Sequence, residues 1–340
     1  MNKKSGTGLM DRRQFLTGFG ACLGAGAVTG PAAWAETTAP TERNTAGIPM
    51  RTLGRTGAKI TILGLGSAPV GHSKPGIEAG TKVYRAALEA GIGYVDTAHF
   101  YDDAETYLGQ VIPAYRDRIF LATKALPTSP DPKESARQMQ LQFETSLRLL
   151  RTDHVDLLHI HNVGSCSPEM ILAPGGPLEF VRNAREKGLT RFVGITGHSL
   201  PLHCIGILNT GEIDVLMVVL NFVDNHIYSF TDKVLPVARK HGCGILAMKV
   251  FGGHAKGFAG YRQRGPAKMP VELLEKTMRF SLGIEGVAGA IIGPYTVDEA
   301  EQNVRWAKRY QPLSAAERQE LDERGKAMAS EWGPRFGPAA

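Results

Sequence analysis

Four side chains of different chemistry stand at or just beyond the ends of short apolar runs. Asp96 and Tyr101 fall in VDTAHFYDD (Val95–Asp103), Lys124 closes IFLATK, and His161 closes VDLLHIH. Taken singly, each has a plain structural role: a helix cap for the aspartate, a solvated strand end for the lysine, packing for the tyrosine. Taken together they make a proton-donor assembly. A free tyrosine, with a pKa of ~10, is a poor acid at neutral pH. A neighbouring ammonium favours the phenolate, and a carboxylate holds that ammonium charged and oriented. The histidine can hold a carbonyl oxygen against the phenol. What remains to be supplied is a hydride.

Bringing these four to one place requires a scaffold that gathers strand ends. Apolar, β-branched runs occur at Ile60–Leu65, Gly93–Asp96, Ile119–Lys124, Val155–His161, Arg191–Ile195, Val215–Leu220, Ile245–Val250 and Ala288–Ile292. Amphipathic segments lie between them. In Asp103–Ile112, residues Ala104, Tyr107, Leu108, Val111 and Ile112 repeat with helical period. Asp131-Pro132-Lys133-Glu134 opens another helix with a cap and a proline at its first position; Ala136, Met139, Phe143, Leu147 and Leu150 form its apolar face. Eight βα units in about 250 residues predict an α/β fold of the (β/α)8 TIM-barrel type, whose strand ends converge on an active site. A doubly wound sheet is the rival, but GLGSAP (Gly64–Pro69) lacks the third glycine of a dinucleotide fingerprint. Arg55-Thr56-Gly57 reads as the turn of an N-terminal β-hairpin closing the barrel bottom, and Ser314–Ser330 as an extra C-terminal helix.

The 340 residues are 43% hydrophobic and 21% charged, an ordinary globular balance. Residues 1–35 read as a targeting segment instead of fold. Lys3, Lys4, Arg12 and Arg13 give a basic start, a weakly apolar Gly/Ala-rich stretch follows, and Ala33-Trp34-Ala35 supplies a cleavage site. The run DRRQFL (Asp11–Leu16) resembles a twin-arginine signal, which implies the export machinery as a partner and a periplasmic location. Glycines and Pro31 argue against a lasting membrane span. Residues 36–49 read as a flexible linker, and 50–340 as the barrel. Loss of the segment takes the net charge from +6 to +3. No basic cluster interleaved with aromatics follows, so no nucleic-acid surface is expected. Cys166, Cys204 and Cys243 remain without a C-x-x-C pair and are expected to be free thiols.

Across Met50 to about Lys308 the sequence resembles the aldo/keto reductases. The likeness rests on MRTLGRTGAKITILGLG, GIGYVDTAHFYDDAETYLG, IFLATK, VDLLHIHN and IIGPYTVDEAEQNV. The spacing D-T-A-x-x-Y-x-x-x-E-x-x-x-G is far more specific than any single triplet. The resemblance implies Asp96, Tyr101, Lys124 and His161 as a catalytic tetrad, with Tyr101 as the acid in carbonyl reduction. It implies NADPH, or NADH, laid across the barrel mouth, and a small aldehyde, ketone or alcohol as substrate.

For the cofactor, the resemblance points to backbone groups of KVFGGH, including Lys249, Phe251, Gly252 and Gly253, at the pyrophosphate, and to Asn303 with Gln302 at the adenine. Gly66, Ser67 and Asn221 join them. The family's Ser-Asn pair after the fifth strand is Thr196-Gly197 here, and Leu220 stands at the expected place of its nicotinamide-stacking tyrosine. The basic residues that grip a 2′-phosphate are absent from GPYTVDEAEQN, with Arg305 the nearest. His72, His99, Ser165–Pro174 and Phe251–Tyr261 are expected to border the substrate. Two other readings compete: a nucleotide-binding sensor or scaffold with a weak site, and a metal-dependent barrel hydrolase using His159, His161 and His198. Against the metal, the H-x-H pair sits on the fourth strand, no carboxylate beyond Asp96 completes a site, and Lys124 would repel a cation. No metal is expected.

Overall fold

The computed structural model describes residues 40 and 42–340; the expected export signal and cleavage site lie outside them. The chain enters through an antiparallel hairpin, β1 (Met50–Thr52) and β2 (Lys59–Thr61), paired Met50 to Thr61. Eight parallel strands then close a barrel. These are β3 (Leu63–Gly66), β4 (Tyr94–Asp96), β5 (Phe120–Ala125), β6 (Val155–Ile160), β7 (Thr190–Gly197), β8 (Val215–Val219), β9 (Gly244–Met248) and β10 (Val287–Ile292). Neighbours run in chain order and β10 closes on β3. The expected (β/α)8 barrel, hairpin and extra helix (Ala315–Trp332, opened by a Ser314–Glu317 capping box) are all present.

Three local expectations fail for identifiable reasons. The run Ile60–Leu65 is two strands, not one. Thr61 accepts from Gly93 N through its hydroxyl and donates to Leu63 O, while Ile62 N bonds Pro49 O, so the chain bends between hairpin and barrel. The helix expected over Asp103–Ile112 breaks into Ala104–Leu108 and Ile112–Tyr115. Gly109 lies so near the chain that a Cβ there would stand 2.0 Å from Leu149 O, yet all five apolar positions of the segment are buried. The linker reading ends early: from Glu42 the chain is anchored, with Met50 N donating to Glu42 O, Asn44 Oδ1 accepting from Ala46 N and Ile48 N, and Ile48 fully buried.

The hairpin seals the barrel floor. A Cβ on Gly54 would stand 2.2 Å from Gly244 N, and Arg55 N donates to Gly242 O. Two aspartates fasten the same face. Asp156, in β6, accepts from Arg116, Arg191 and Leu121 N, and Asp214, just before β8, accepts from Arg55, Arg185 and Val193 N. Asp131 caps the helix Pro132–Leu150 by accepting from Glu134 N, and that helix buries Met139, Phe143 and Leu150. No helix among the described residues is long and apolar enough to cross a membrane. The three cysteines are free thiols.

Candidate active site

At the opposite, C-terminal ends of the strands, Asp96 closes β4 and Lys124 stands one residue before the end of β5. The Lys124 ammonium, 2% exposed, donates to Asp96 Oδ2 at 2.5 Å, to Thr97 O at 2.7 Å and to the Tyr101 phenol oxygen at 3.2 Å. A buried charge is tolerated only when paired and hydrogen-bonded, and here all three ammonium donors are used. Burial works against the charge on Lys124, but Asp96 and Tyr101 outweigh it and hold the ammonium above the ordinary lysine range. Burial pushes the Asp96 carboxyl up, against the pull of Lys124.

Tyr101 is held by its own loop. Its N–H bonds Ala98 O, and its carbonyl accepts from Ala104 N. Helix Ala68–Ser73 presses on it so closely that a Cβ on Gly71 would stand 2.2 Å from that carbonyl. The next residue, Asp102, takes a left-handed backbone (φ 46°), uncommon outside glycine, and its carboxylate meets His72 Nδ1 at 2.7 Å and Lys74 Nζ at 3.3 Å.

His161 follows β6 directly and stands edge-on to Tyr101, centroids 5.8 Å apart. Burial first, then the charge of Lys124, keeps its imidazole neutral, and its Nδ1 has no partner. His159 lies fully buried inside the barrel. His198, also held neutral by burial, is 6.4 Å from His161. No group of three His, Cys, Asp or Glu among the described residues is placed to hold a metal ion.

Asp96 and Tyr101 open into a cavity of about 440 Å³ whose wall reaches Gln302 and Asn303, a size within the ~300–1,000 Å³ typical of ligand sites. Gly66, Ser67, Lys249, Phe251 and Gly253 line it as expected. A dinucleotide fits the residues present: Tyr295 Oη, on this wall, is a buried polar atom without a partner. Four expected positions are occupied elsewhere. Thr196 Oγ1 accepts from Asn162 N, and Gly197 packs on Cys204 and Phe230. Asn221 spends both ends of its amide on Val223, Asp224 and Lys249 O, and Gly252 lies against Trp332. Leu220 is buried away from the cavity; Met217 and Met248 line it instead. Arg305 is bonded to Gln302 and Glu301 on the surface. At that end of the wall the acid Glu299 takes part, bonded to Tyr295 N at 2.6 Å.

Of the segments expected at the substrate, His72 touches Tyr101 (5.6 Å between centroids) and Tyr261, while Phe251, Gly253, His254 and Tyr261 reach the wall. His99 is tied to β5 through Lys124 O, and Ser165–Pro174 contributes nothing to the cavity wall. The sequence reading missed Phe336. It lies beyond the last helix, where Arg335 bonds the carbonyls of Gly252, His254 and Ala255 and so docks the tail on the mouth.

Comparison with known proteins bears on the fold and the family. L-galactose dehydrogenase of Arabidopsis thaliana is 25% identical over 76% of this chain and 87% of its own length. Pyridoxal 4-dehydrogenase of Microbacterium luteolum is 24% identical, with 77% and 94% covered. Among solved structures, an aldo-keto reductase of Klebsiella pneumoniae in complex with NADPH superposes with a TM-score of 0.65 at 20% identity, covering 82% of this chain and 95% of its own. Residues 62–276 match the profile of the aldo/keto reductase family. That span holds the whole Asp96–Tyr101–Lys124–His161 cluster, and the chain belongs to the aldo/keto reductase family.

Proposed function

We propose that the protein moves a hydride between a nicotinamide cofactor and an aldehyde or ketone, or the matching alcohol, with Tyr101 as the proton donor. The observation that carries this is the single buried ammonium bonded at once to a carboxylate and a phenol beneath the cavity. When bound, the reduced cofactor supplies the hydride. Tyr101 gives its proton to the carbonyl oxygen, and the ammonium of Lys124 stabilises the phenolate left behind. Asp96 keeps that ammonium charged and aimed. His161, neutral through burial, is suited to donating an N–H to the same oxygen without competing as the acid. Ser67, Phe251, Gly253, Gln302 and Asn303 would hold the nucleotide. NADPH is the cofactor we favour, as in the Klebsiella structure, with NADH as a second donor.

Export by the twin-arginine route to the periplasm is part of the same proposal, supported by DRRQFL and Ala33-Trp34-Ala35. The test of the activity is turnover of a panel of aldehydes and ketones with both cofactors. Nucleotide binding without turnover across the panel would favour a sensor or scaffold instead.

A further inference from the structure

Lys249 brings a positive charge to the catalytic end of the cavity and forms no ion pair among the described residues, its charge acting on Asp96 only from a distance. Its ammonium bonds only the Tyr261 hydroxyl, at 3.1 Å. The rings of Phe258, Tyr261 and Phe336 surround it, with centroids 4.9, 4.8 and 5.8 Å away. Two of those rings also pack on His198, Phe258 at 5.7 Å and Phe336 at 6.1 Å. From His198 the ring contacts continue through His161 to Tyr101, with centroids 6.4 and 5.8 Å apart. On the other flank Tyr261 approaches His72 at 6.0 Å, and His72 meets Tyr101 at 5.6 Å. Lys249 and Tyr101 therefore belong to one ring of aromatic side chains around the mouth.

The charge count at this end is uneven. Asp96 and Lys124 cancel as a bonded pair, and burial keeps His161 and His198 neutral. Lys249 is left over. Aromatic faces accept a cation but leave its charge uncompensated, and an anion brought here finds a partly desolvated partner.

We propose that Lys249 recognises a carboxylate on the substrate, so that the preferred carbonyl compounds are acids with an apolar or aromatic body. This rests on the oxidoreductase reading above. The competing anion is the cofactor pyrophosphate. The substrate is favoured because the ammonium is enclosed by Phe258 and Phe336, the rings that pack on His198. Of the two lysines, Lys249 is also the one that opposes a charge on His198 more.

The test compares 4-carboxybenzaldehyde with its methyl ester, a neutral molecule of similar shape whose aldehyde is intrinsically the more electrophilic, at saturating cofactor. Wild type should prefer the acid in kcat/KM. Lys249→Met should lower kcat/KM for the acid by about 10–100-fold, mainly through KM, as loss of a charge-assisted hydrogen bond implies. The ester should lose far less, and Lys249→Arg should keep most of the preference. Equal losses on acid and ester, with weaker nucleotide binding by fluorescence titration, would assign the ammonium to the cofactor and overturn the proposal. So would a wild type indifferent to the two compounds. Calorimetric titration with the product, 4-(hydroxymethyl)benzoate, separates the two readings. A Lys249-dependent affinity without turnover counts against the oxidoreductase reading alone, and turnover without that affinity counts against this one.

Discussion

Lys124 reaches the phenol oxygen of Tyr101 at 3.2 Å while keeping its shortest bond, 2.5 Å, for Asp96. The tyrosine is thus the weaker-held partner of a fixed ion pair, free to give up its proton while the pair stays in place. Tyr101→Phe should cost carbonyl reduction ~10²–10⁴-fold while nucleotide binding and thermal unfolding stay near wild type. A loss under threefold would refute the assignment. Lys124→Met should do comparable damage and also lower the melting temperature, because it leaves Asp96 buried without its cation.

Glu105 gives a pH dependence that does not involve catalysis. It is buried, accepts from Thr123 Oγ1 at 2.6 Å, and burial raises its pKa from 4.5 to about 7. Between these values the folded chain holds a proton that the unfolded chain has released, so this contribution to stability is intact below about pH 4.5 and lost as pH rises through about 7. The span corresponds to roughly 3 kcal/mol. Urea midpoints at pH 5 and pH 8 should fall less for Glu105→Gln than for wild type. Parallel lines would remove Glu105 as the cause. Asp224, raised by burial to about 6, acts in the same direction.

Metal plays no part in the proposed chemistry, and His159 is enclosed within the barrel. Protein stripped with a chelator and desalted should retain its reductase activity. Stoichiometric zinc, with activity returning only on its addition, would revive the hydrolase reading.

Glu299 lines the cavity beside Gln302 and Asn303, the residues proposed to hold the adenine end of the nucleotide. Glu299→Arg is expected to shift the ratio of dissociation constants further toward NADPH over NADH by about tenfold or more, since an arginine would add a cation for the 2′-phosphate. Titration of each nucleotide against both proteins measures it. An unchanged ratio would place Glu299 outside the recognition of the adenosine ribose.

If the chain is exported folded, as proposed, it is expected to carry its nucleotide with it. Protein recovered from the periplasm should then release about one nicotinamide nucleotide per chain on denaturation, which at nanomolar free cofactor needs roughly −12 kcal/mol of binding. Far less than one, in protein purified without added cofactor, would mean that the site empties in transit.

Why some of this was legible in the sequence and some was not comes down to the range of the interactions. Asp96 and Tyr101 sit in one short motif, and Lys124 and His161 close or follow apolar runs, so strand ends alone bring the four together. The break at Gly109 depends on Leu149 O, forty residues away, and local period cannot register it. Leu220 stands where the family's stacking tyrosine is expected, but it is buried away from the cavity, which takes thioethers from two strands, Met217 and Met248. Phe336 returns to the mouth through Arg335, about 80 residues from the carbonyls it holds. No spacing announces such a contact.

The aspartates that fasten the barrel floor have a consequence for what this chain can tolerate above it. Asp156 and Asp214 tie β-strands, arginines and the hairpin together on the face away from Tyr101. The groups that select and reduce a substrate draw on none of them. Loops above the barrel can therefore be exchanged between relatives, by evolution or by grafting, without loosening the fasteners below. A chimera carrying a foreign set of upper loops should inherit the donor's substrate range and this chain's resistance to unfolding.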